Sequence, residues 1–185
     1  MNFELNKSIE VLEKTPQVLE SLLNGLSKEW IVNNEGENTW SPYDIVGHLI
    51  FGEKTDWMVR IKTILSKSEN KLFEPFDRFA QLKEDQNKPI QELIKEFKAI
   101  RKSNLNELIS LNITTKDYNL TGIHPEFGQV TLKQLISTWA VHDLGHIAQI
   151  SRVMAKQYTE EVGPWINYLG ILKSNISKTN KKHDN

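Results

Sequence analysis

The pattern of apolar and polar positions predicts a chain built almost wholly from helices. In residues 4–26 the apolar side chains recur every three or four positions, and Pro16 is expected to kink or divide that helix. A second helix begins with Ser41 as N-cap and Pro42 in its first turn, and it is predicted to extend to about Leu65.

Two more long helices are predicted in the second half of the chain. Residues 89–111 show a third helical repeat, which opens with Pro89. Thr131 and Gln134 form a capping-box pattern, which starts a fourth helix that reaches about Gln157. Four long amphipathic helices in 185 residues predict an all-α four-helix bundle.

The segments between and after the helices indicate the topology. Residues 67–88 are polar and irregular, and a connection of this length could cross the bundle and leave the second and third helices parallel. Residues 112–130 are expected to form an ordered or partly extended loop. Residues 164–172 are predicted to form a short closing helix, so that the domain covers residues 1–172 and residues 173–185 form a polar, disordered tail.

Composition excludes several classes of function. Lys+Arg 23 against Asp+Glu 24 gives a formal net charge of -1, which offers no electrostatic case for binding nucleic acid. No stretch has the length of a membrane span, and the first residues lack the apolar core of a signal peptide, so we expect a cytoplasmic protein. The chain has no cysteine, which excludes a disulfide, a cysteine nucleophile and thiolate metal ligands.

The clearest chemical feature is the sequence "HDLGH" at positions 142–146 of the fourth helix. Histidines four positions apart lie on the same face of a helix. Imidazole nitrogens are typical ligands of zinc and similar transition metals, and a three-nitrogen site needs one more ligand from elsewhere. The signature of zinc peptidases, H-E-x-x-H, is not present because its glutamate is missing.

His48 on the second helix is the candidate for the third ligand. It lies about 10 Å from the start of that helix, and His146 lies about 16 Å before the end of the fourth. If these helices are antiparallel with level ends, the two depths agree to about one turn. Histidines on helices also occur as ordinary core or surface residues, so the spacing by itself leaves both interpretations open.

Two segments resemble the DinB-like superfamily of metal-binding four-helix bundles. These are "WSPYDIVGHL" at positions 40–49 and "TLKQLISTWAVHDLGHIAQISRVMAKQY" at positions 131–158. Their most specific parts are a lone histidine after W-S-x-x-D and the pattern H-D-x-x-H-x-x-Q, and "HPEFGQVTL" and "VGPW" are similar to one subgroup. The superfamily includes the damage-inducible proteins and the bacillithiol and mycothiol transferases.

The resemblance implies a site, a topology and an assembly. It implies that His48, His142 and His146 hold a zinc, nickel or similar divalent ion in an up-down-down-up bundle that is frequently a homodimer. Three histidines leave an open position, where a metal acidifies water or holds a substrate thiol as thiolate. Large apolar side chains, Trp57 and Trp165 among them, leave room for a dimer contact.

Four further residues are candidates for the pocket or for contacts to the metal ligands. Trp139 would wall the site or belong to the core, and Gln149 would hold a ligand or a water or serve packing. Asp143 would accept a hydrogen bond from an imidazole, pair with a cation such as Arg152, or face solvent. His124 would reach the mouth of the bundle or be a turn residue without chemistry.

Two classes of function remain. The preferred one is a metal-dependent enzyme acting on a small molecule, by transfer of a low-molecular-weight thiol to an electrophile or, alternatively, by hydrolysis. The chain has no sulfur nucleophile of its own, so the thiol would be a co-substrate. The other class is a non-catalytic bundle, braced by the ion, that serves binding or stress response. Structural zinc normally has four protein ligands, so three ligands favour an open site, and a fourth ligand from His124 would reverse that inference.

Overall fold

Four long helical segments pack side by side in the computed structural model, which describes residues 2–83 and 88–173. The helices are α1 (Leu5–Leu23), α2 (Lys28–Val32), α3 (Pro42–Thr55), α4 (Trp57–Leu65), α5 (Ile90–Ser110), α6 (Leu132–Lys156) and α7 (Gly170–Lys173). Short 3₁₀ turns span Ala80–Lys83, Asp117–Asn119 and Gly163–Asn167. The consecutive helices α3 and α4 together form the second segment, and the predicted four-helix bundle is confirmed.

Contacts between the segments give their directions. Ion pairs between the second segment and α5 fall in the same order along both, which makes them parallel: Lys54–Glu96 and Lys62–Glu107. Contacts between α1 and α5 fall in the opposite order: Leu12 with Arg101 and Glu20 with Lys98. Contacts between α3 and α6 are also antiparallel: His48 with His142 and Glu53 with Trp139. The topology is therefore up-down-down-up, and the connection between α4 and α5 crosses the bundle.

The second segment differs from the prediction because it is divided at Asp56. This residue takes φ −117° and ψ −72°, so the helix does not run unbroken to Leu65. The Asp56 carboxylate lies 2.7 Å from Arg60 Nε, and both side chains are only 10% exposed. Trp57 packs back over Gly52, where an added Cβ would lie 3.3 Å from Trp57 Nε1. The break thus coincides with the burial of Trp57 and of an ion pair.

Pro16 lies within α1 without dividing it. One backbone carbonyl of the preceding turn is therefore free to accept a hydrogen bond from outside the helix. Proline has no N–H, so the carbonyl of Leu12, four residues earlier, lacks its usual helical donor. Arg101 Nη1 of α5 donates to this carbonyl at 2.8 Å. A side chain from a neighbouring helix thus takes the place of the missing backbone hydrogen bond.

The segment predicted as a partly extended loop contains an antiparallel hairpin. Strands β1 (Thr121–His124) and β2 (Gly128–Thr131) pair from Thr121 with Thr131 to His124 with Gly128. Gly122 of β1 touches the loop after α4, and an added Cβ there would lie 2.4 Å from the Phe73 ring. Only glycine fits at this contact, which holds the loop after α4 against the hairpin.

The apolar core consists of two clusters. The first contains Trp57 and Trp139, with Ile61, Ile136 and Leu108 among their neighbours. Members of the second, on α1, α3, α5 and α6, include the following residues: Leu19, Ile45, Leu49, Phe97 and Ile150. Within the described residues, no helix is long and apolar enough to cross a membrane.

The predicted closing helix is shorter than expected. The 3₁₀ turn Gly163–Asn167 and α7 (Gly170–Lys173) occupy its place, and Trp165 and Tyr168 are 68% and 84% exposed. Apart from Lys173, the predicted tail of residues 173–185 lies outside the described residues.

Candidate metal centre

Three histidine side chains from two helices meet between α3 and α6. His48 lies on α3, and His142 and His146 lie one turn apart on α6. The Nε2 atom of His142 lies 3.2 Å from that of His48 and 3.0 Å from that of His146. The potential ligand atoms of the three rings all lie within 4.8 Å of one another. The structure thus places side by side the three residues that the sequence suggests as ligands.

Capping boxes at both helix starts set the depth of these histidines. The Ser41 hydroxyl accepts from the Asp44 backbone N–H at 3.2 Å, and the Asp44 carboxylate accepts from the Ser41 backbone N–H at 2.9 Å. Thr131 and Gln134 repeat this reciprocal pair at 3.3 and 2.8 Å. Each box fixes the first turn of its helix, and so the positions of the residues that follow.

Burial keeps the three imidazoles neutral. Burial, reinforced by His146, lowers the pKa of His48 to about 3, and burial with His146 and His48 nearby lowers that of His142 to about 2. Burial also lowers the pKa of His146, although its contact with Gln149 and the nearby Asp143 act in the opposite direction. At neutral pH each ring has an unprotonated nitrogen, which is the form that binds a metal.

The metal-free protein should lose stability as the solution becomes acidic. The pKa values of His48 and His142 fall from 6.5 to about 3 and about 2 on folding. Below about pH 6.5 the unfolded chain therefore binds protons that the folded chain does not, so stability is complete above that pH and is lost on acidification. Between pH 7 and pH 5, we expect the free energy of unfolding to fall by about 2–4 kcal/mol.

Urea unfolding with a metal chelator at the two pH values measures this loss. A His142→Gln variant removes one of the two groups and should lose less stability over the same interval. An equal loss in both proteins would contradict the assignment of the effect to these histidines.

One of the three rings is oriented by a side-chain hydrogen bond. His146 Nδ1 lies 2.8 Å from Gln149 Oε1 and donates to it, so the lone pair of His146 is on Nε2. Within the described residues, Nδ1 of His48 and Nδ1 of His142 are buried without a hydrogen-bond partner. Burial is the largest cause of the low pKa of His48, and the backbone of Arg78 acts against it although it makes no well-aligned hydrogen bond to Nδ1.

The spacing and chemistry of the ring nitrogens fit a tetrahedral metal ion. Zinc–nitrogen bonds of about 2.05 Å place neighbouring ligand atoms about 3.3 Å apart. Two of the separations, 3.2 and 3.0 Å, are close to that value, and the three ligand atoms as a set lie within 4.8 Å of one another. Three neutral imidazoles are also the ligand set of a known class of catalytic zinc site.

Aromatic rings that the sequence did not assign to the site pack around the histidines. The Trp40 ring lies 4.7 Å from that of His48 and stacks on His146 at 6.3 Å. The Phe76 ring lies 5.6 Å from His48, and the Trp57 ring lies 5.1 Å from that of His142. Trp57 is only 6% exposed, so its suggested role in a dimer contact is wrong.

Two of the four additional candidates belong to the core. Trp139 is fully buried, and its Nε1–H donates to Glu53 Oε1 at 2.9 Å. The two carboxylate oxygens of Asp143 accept from Arg101 at 2.6 and 3.1 Å, so Asp143 pairs with a cation rather than with an imidazole. That cation is Arg101 of α5 and not Arg152.

Of the other two candidates, Gln149 belongs to the histidine site and His124 does not. Gln149 contacts His146, as described above. His124 lies in the hairpin, where its Nδ1 accepts from the backbone N–H groups of Glu126 and Phe127 at 3.1 and 3.2 Å. Its ring stacks on Phe127 at 4.4 Å, and it does not belong to the three-histidine cluster. The structure therefore places His124 at the end of β1, beside the turn of the hairpin and outside the cluster.

Sequence reasoning also missed Glu53 and Arg101, two buried charged residues that contact the sequence-predicted candidates Trp139 and Asp143. Both follow the apolar repeat of their helices: Arg101 lies four positions after Phe97 and four before Leu105, and Glu53 lies four positions after Leu49. A charged residue on the apolar face of an amphipathic helix is the signal that could have identified each of them.

The sequence and the helix arrangement have counterparts among known proteins. The sequence model of the DinB superfamily matches residues 11–150, which is more than half of the chain. The chain belongs to the DinB superfamily. The resemblance to this superfamily is thereby confirmed.

One curated protein and one solved structure are similar to this chain over most of its length. A protein of Oceanobacillus iheyensis, named "Putative metal-dependent hydrolase OB0782", is 25% identical over 158 residues, which are 84% of this chain and 89% of that protein. The structure of YfiT from Bacillus subtilis, described as "a probable metal-dependent hydrolase with an unusual four-helix bundle topology", matches with a TM-score of 0.69. It is 17% identical and covers 86% of this chain and 87% of its own, so the likeness concerns the fold.

Proposed function

We propose that His48, His142 and His146 bind one divalent metal ion, with zinc as the first candidate and nickel as the second. The convergence of three imidazoles within 4.8 Å is the observation that carries this proposal. Their low pKa values support it, because neutral rings bind cations without first releasing protons. The description of both relatives as metal-dependent gives further support.

The ligand set favours an open, reactive site over a structural one. In the described part of the chain, the cluster contains three potential ligands, whereas structural zinc is normally held by four protein ligands. A bound divalent ion would supply Lewis acidity, which makes a water or a thiol beside it more acidic. This arrangement argues for an enzyme rather than a metal-braced binding or stress-response bundle.

The reaction that we propose first is metal-dependent hydrolysis of a small-molecule substrate. The names of both relatives describe hydrolases, which supports this choice. In this chain the three imidazoles would hold the ion and Gln149 would keep the His146 ring in place. The rings of Trp40 and Phe76 pack against His48 and would shield that side of the site from bulk water.

Transfer of a low-molecular-weight thiol is the second candidate, and one observation favours it. Among the described residues, no carboxylate belongs to the histidine cluster, where it could act as a general base. The buried acids on the two histidine-bearing helices, Glu53 and Asp143, are both bound to Arg101. A thiol has a pKa near 8.5, far below that of water, so it needs less help to lose its proton. The thiol would be a separate co-substrate, since the chain has no cysteine.

Assays of the zinc- and nickel-loaded protein with both kinds of substrate test this proposal. One panel contains small esters and amides, and the other combines small thiols with a bimane electrophile. We expect His142→Ala to lower the rate of hydrolysis by more than about 100-fold. The matched control His124→Ala removes a histidine that lies outside the cluster and should keep the wild-type rate.

Each outcome of these assays decides between the candidates. Metal-dependent transfer without hydrolysis would support the second reaction and contradict the first. Equal rates of the wild type and His142→Ala in both panels would contradict both.

We further propose that the chain acts as a homodimer in the cytoplasm. Apolar side chains on the outer face of α6, Val141 and Leu144, are 65% and 51% exposed, and Trp165 is 68% exposed. Burial of such side chains favours association. Light scattering should give twice the mass of one chain, and a monomer at high protein concentration would contradict the proposal.

A further inference from the structure

A group of charged side chains lies in the core beside the histidines, and none of them is a metal ligand. Glu53, Arg101 and Asp143, called here the core charge cluster, are 3%, 1% and 0% exposed. Glu53 Oε1 accepts from Arg101 Nη2 at 2.8 Å, and Asp143 accepts two hydrogen bonds from Arg101. Asn104 Nδ2 and Trp139 Nε1 donate to Glu53, each at 2.9 Å.

This cluster joins all four helical segments of the bundle. Arg101 on α5 contacts Glu53 on α3 and Asp143 on α6. It also donates to the Leu12 carbonyl of α1, which Pro16 leaves without its helical donor. These three contacts of Arg101 fix how α1, α3 and α6 are placed along the length of α5.

The cluster lies next to the histidines on the same two helices. Asp143 follows His142 directly, and Glu53 lies about 7.5 Å further along α3 than His48. Aromatic rings form a second connection between the cluster and the histidines. The Trp139 ring stacks on that of Trp57 at 5.7 Å, and the Trp57 ring packs edge-on against that of His142. A shift of α6 against α3 would therefore change the cluster and the histidine site together.

The charge of the cluster is complementary to a cation. With two carboxyl groups and one guanidinium, the cluster has a formal charge of about −1. Burial lowers the pKa of Arg101, but Asp143 and Glu53 outweigh it and hold that pKa above its ordinary value, so Arg101 remains charged. Burying such a group costs desolvation energy that apolar side chains of similar volume would avoid. A role beyond packing would explain why the core contains it.

We infer that Glu53, Arg101 and Asp143 are positioning residues for the metal site. The cluster holds α6 against α3 at the register in which His48 meets His142 and His146, and its excess negative charge would favour a cation held by these histidines. This inference rests on the proposed metal binding by the three histidines.

The first test replaces Asp143 by asparagine, which keeps the volume of the side chain and removes its charge. We expect Asp143→Asn to weaken Zn²⁺ binding by about tenfold, in the range seen for residues behind metal ligands. The readout is the dissociation constant from competition with a chromophoric chelator. The matched control is Glu35→Gln, because Glu35 is a buried carboxylate that pairs with Arg152 of α6, the helix that carries Asp143. It should lower stability while Zn²⁺ affinity stays as in the wild type.

The second test separates positioning from a role in stability alone. A triple variant, Glu53→Gln, Arg101→Met and Asp143→Leu, removes all three charges, fills the core and keeps a side-chain oxygen at position 53 as an acceptor for Trp139. Such apolar replacement of a buried ion cluster often retains stability. We expect a folded protein, judged by urea unfolding, whose Zn²⁺ affinity is lowered by at least about tenfold.

The results distinguish this inference from the proposal on which it rests. Wild-type affinity in both Asp143→Asn and the folded triple variant would overturn the positioning role and leave the metal site intact. A wild-type protein that binds no Zn²⁺ would overturn the metal site itself, and the inference with it.

Discussion

Replacing any one of His48, His142 and His146 by alanine is expected to weaken Zn²⁺ binding by more than about 100-fold, beyond the effect of residues behind the ligands. His142 Nε2 lies within 3.2 Å of the Nε2 atoms of His48 and His146, and the three rings could therefore bind one ion between α3 and α6. After the substitution, only two imidazole nitrogens would bind the ion, and water would have to take the third position. A water molecule is not held in place by the protein, so it would bind the ion less strongly than the lost imidazole. Competition titration and elemental analysis of the purified variants measure the effect.

The control for these three variants is His124→Ala. His124 is also a histidine in a regular element of structure, but its Nδ1 is used by backbone N–H groups of the hairpin. Its removal should leave the affinity and the content of one metal ion per chain unchanged. Undiminished affinity in all three of the other variants would refute the site.

The helices could be predicted from sequence because their signals are local. The capping boxes at Ser41 and Thr131 and the apolar repeats that follow them depend on residues within a few positions. The break at Asp56 has no comparable local signal, because Trp57 stacks on Trp139 of α6 and Arg60 contacts the loop after α4 at Phe73 and Glu74. The hairpin of β1 and β2 likewise depends on a close contact between Gly122 and Phe73.

The histidines could be selected for a similar reason, whereas their surroundings could not. A pair four positions apart shares a helix face by geometry alone, and the motif around His48 supplied the third member. The partner of Asp143 comes from α5, a helix 42 positions away in sequence, and the sequence instead offered Arg152. Which of several arginines reaches a buried acid is decided by how the helices pack, and the periodicity of one helix does not contain that information.

The second large effect concerns the free energy of unfolding. We expect Arg101→Ala to lower it by about 3–5 kcal/mol, because breaking a buried ion pair leaves its partners buried and uncompensated. Glu53 and Asp143 would remain in the core without their shared cation, and the carbonyl of Leu12 would lose its donor. Urea unfolding at neutral pH with a metal chelator measures this loss without a contribution from bound metal.

The matched control lies three positions earlier on the same helix. Lys98 pairs with Glu20 of α1, but these side chains are 52% and 46% exposed. Solvent screens such a pair, so Lys98→Ala should cost at most about 1 kcal/mol. Each variant removes one cation that connects α5 to another part of the bundle. The difference between their losses of stability therefore measures the effect of burying the ion pair. If Arg101→Ala cost no more than Lys98→Ala, the two acids would have to be stabilised by other groups, and Arg101 would not be the residue that holds the four segments together.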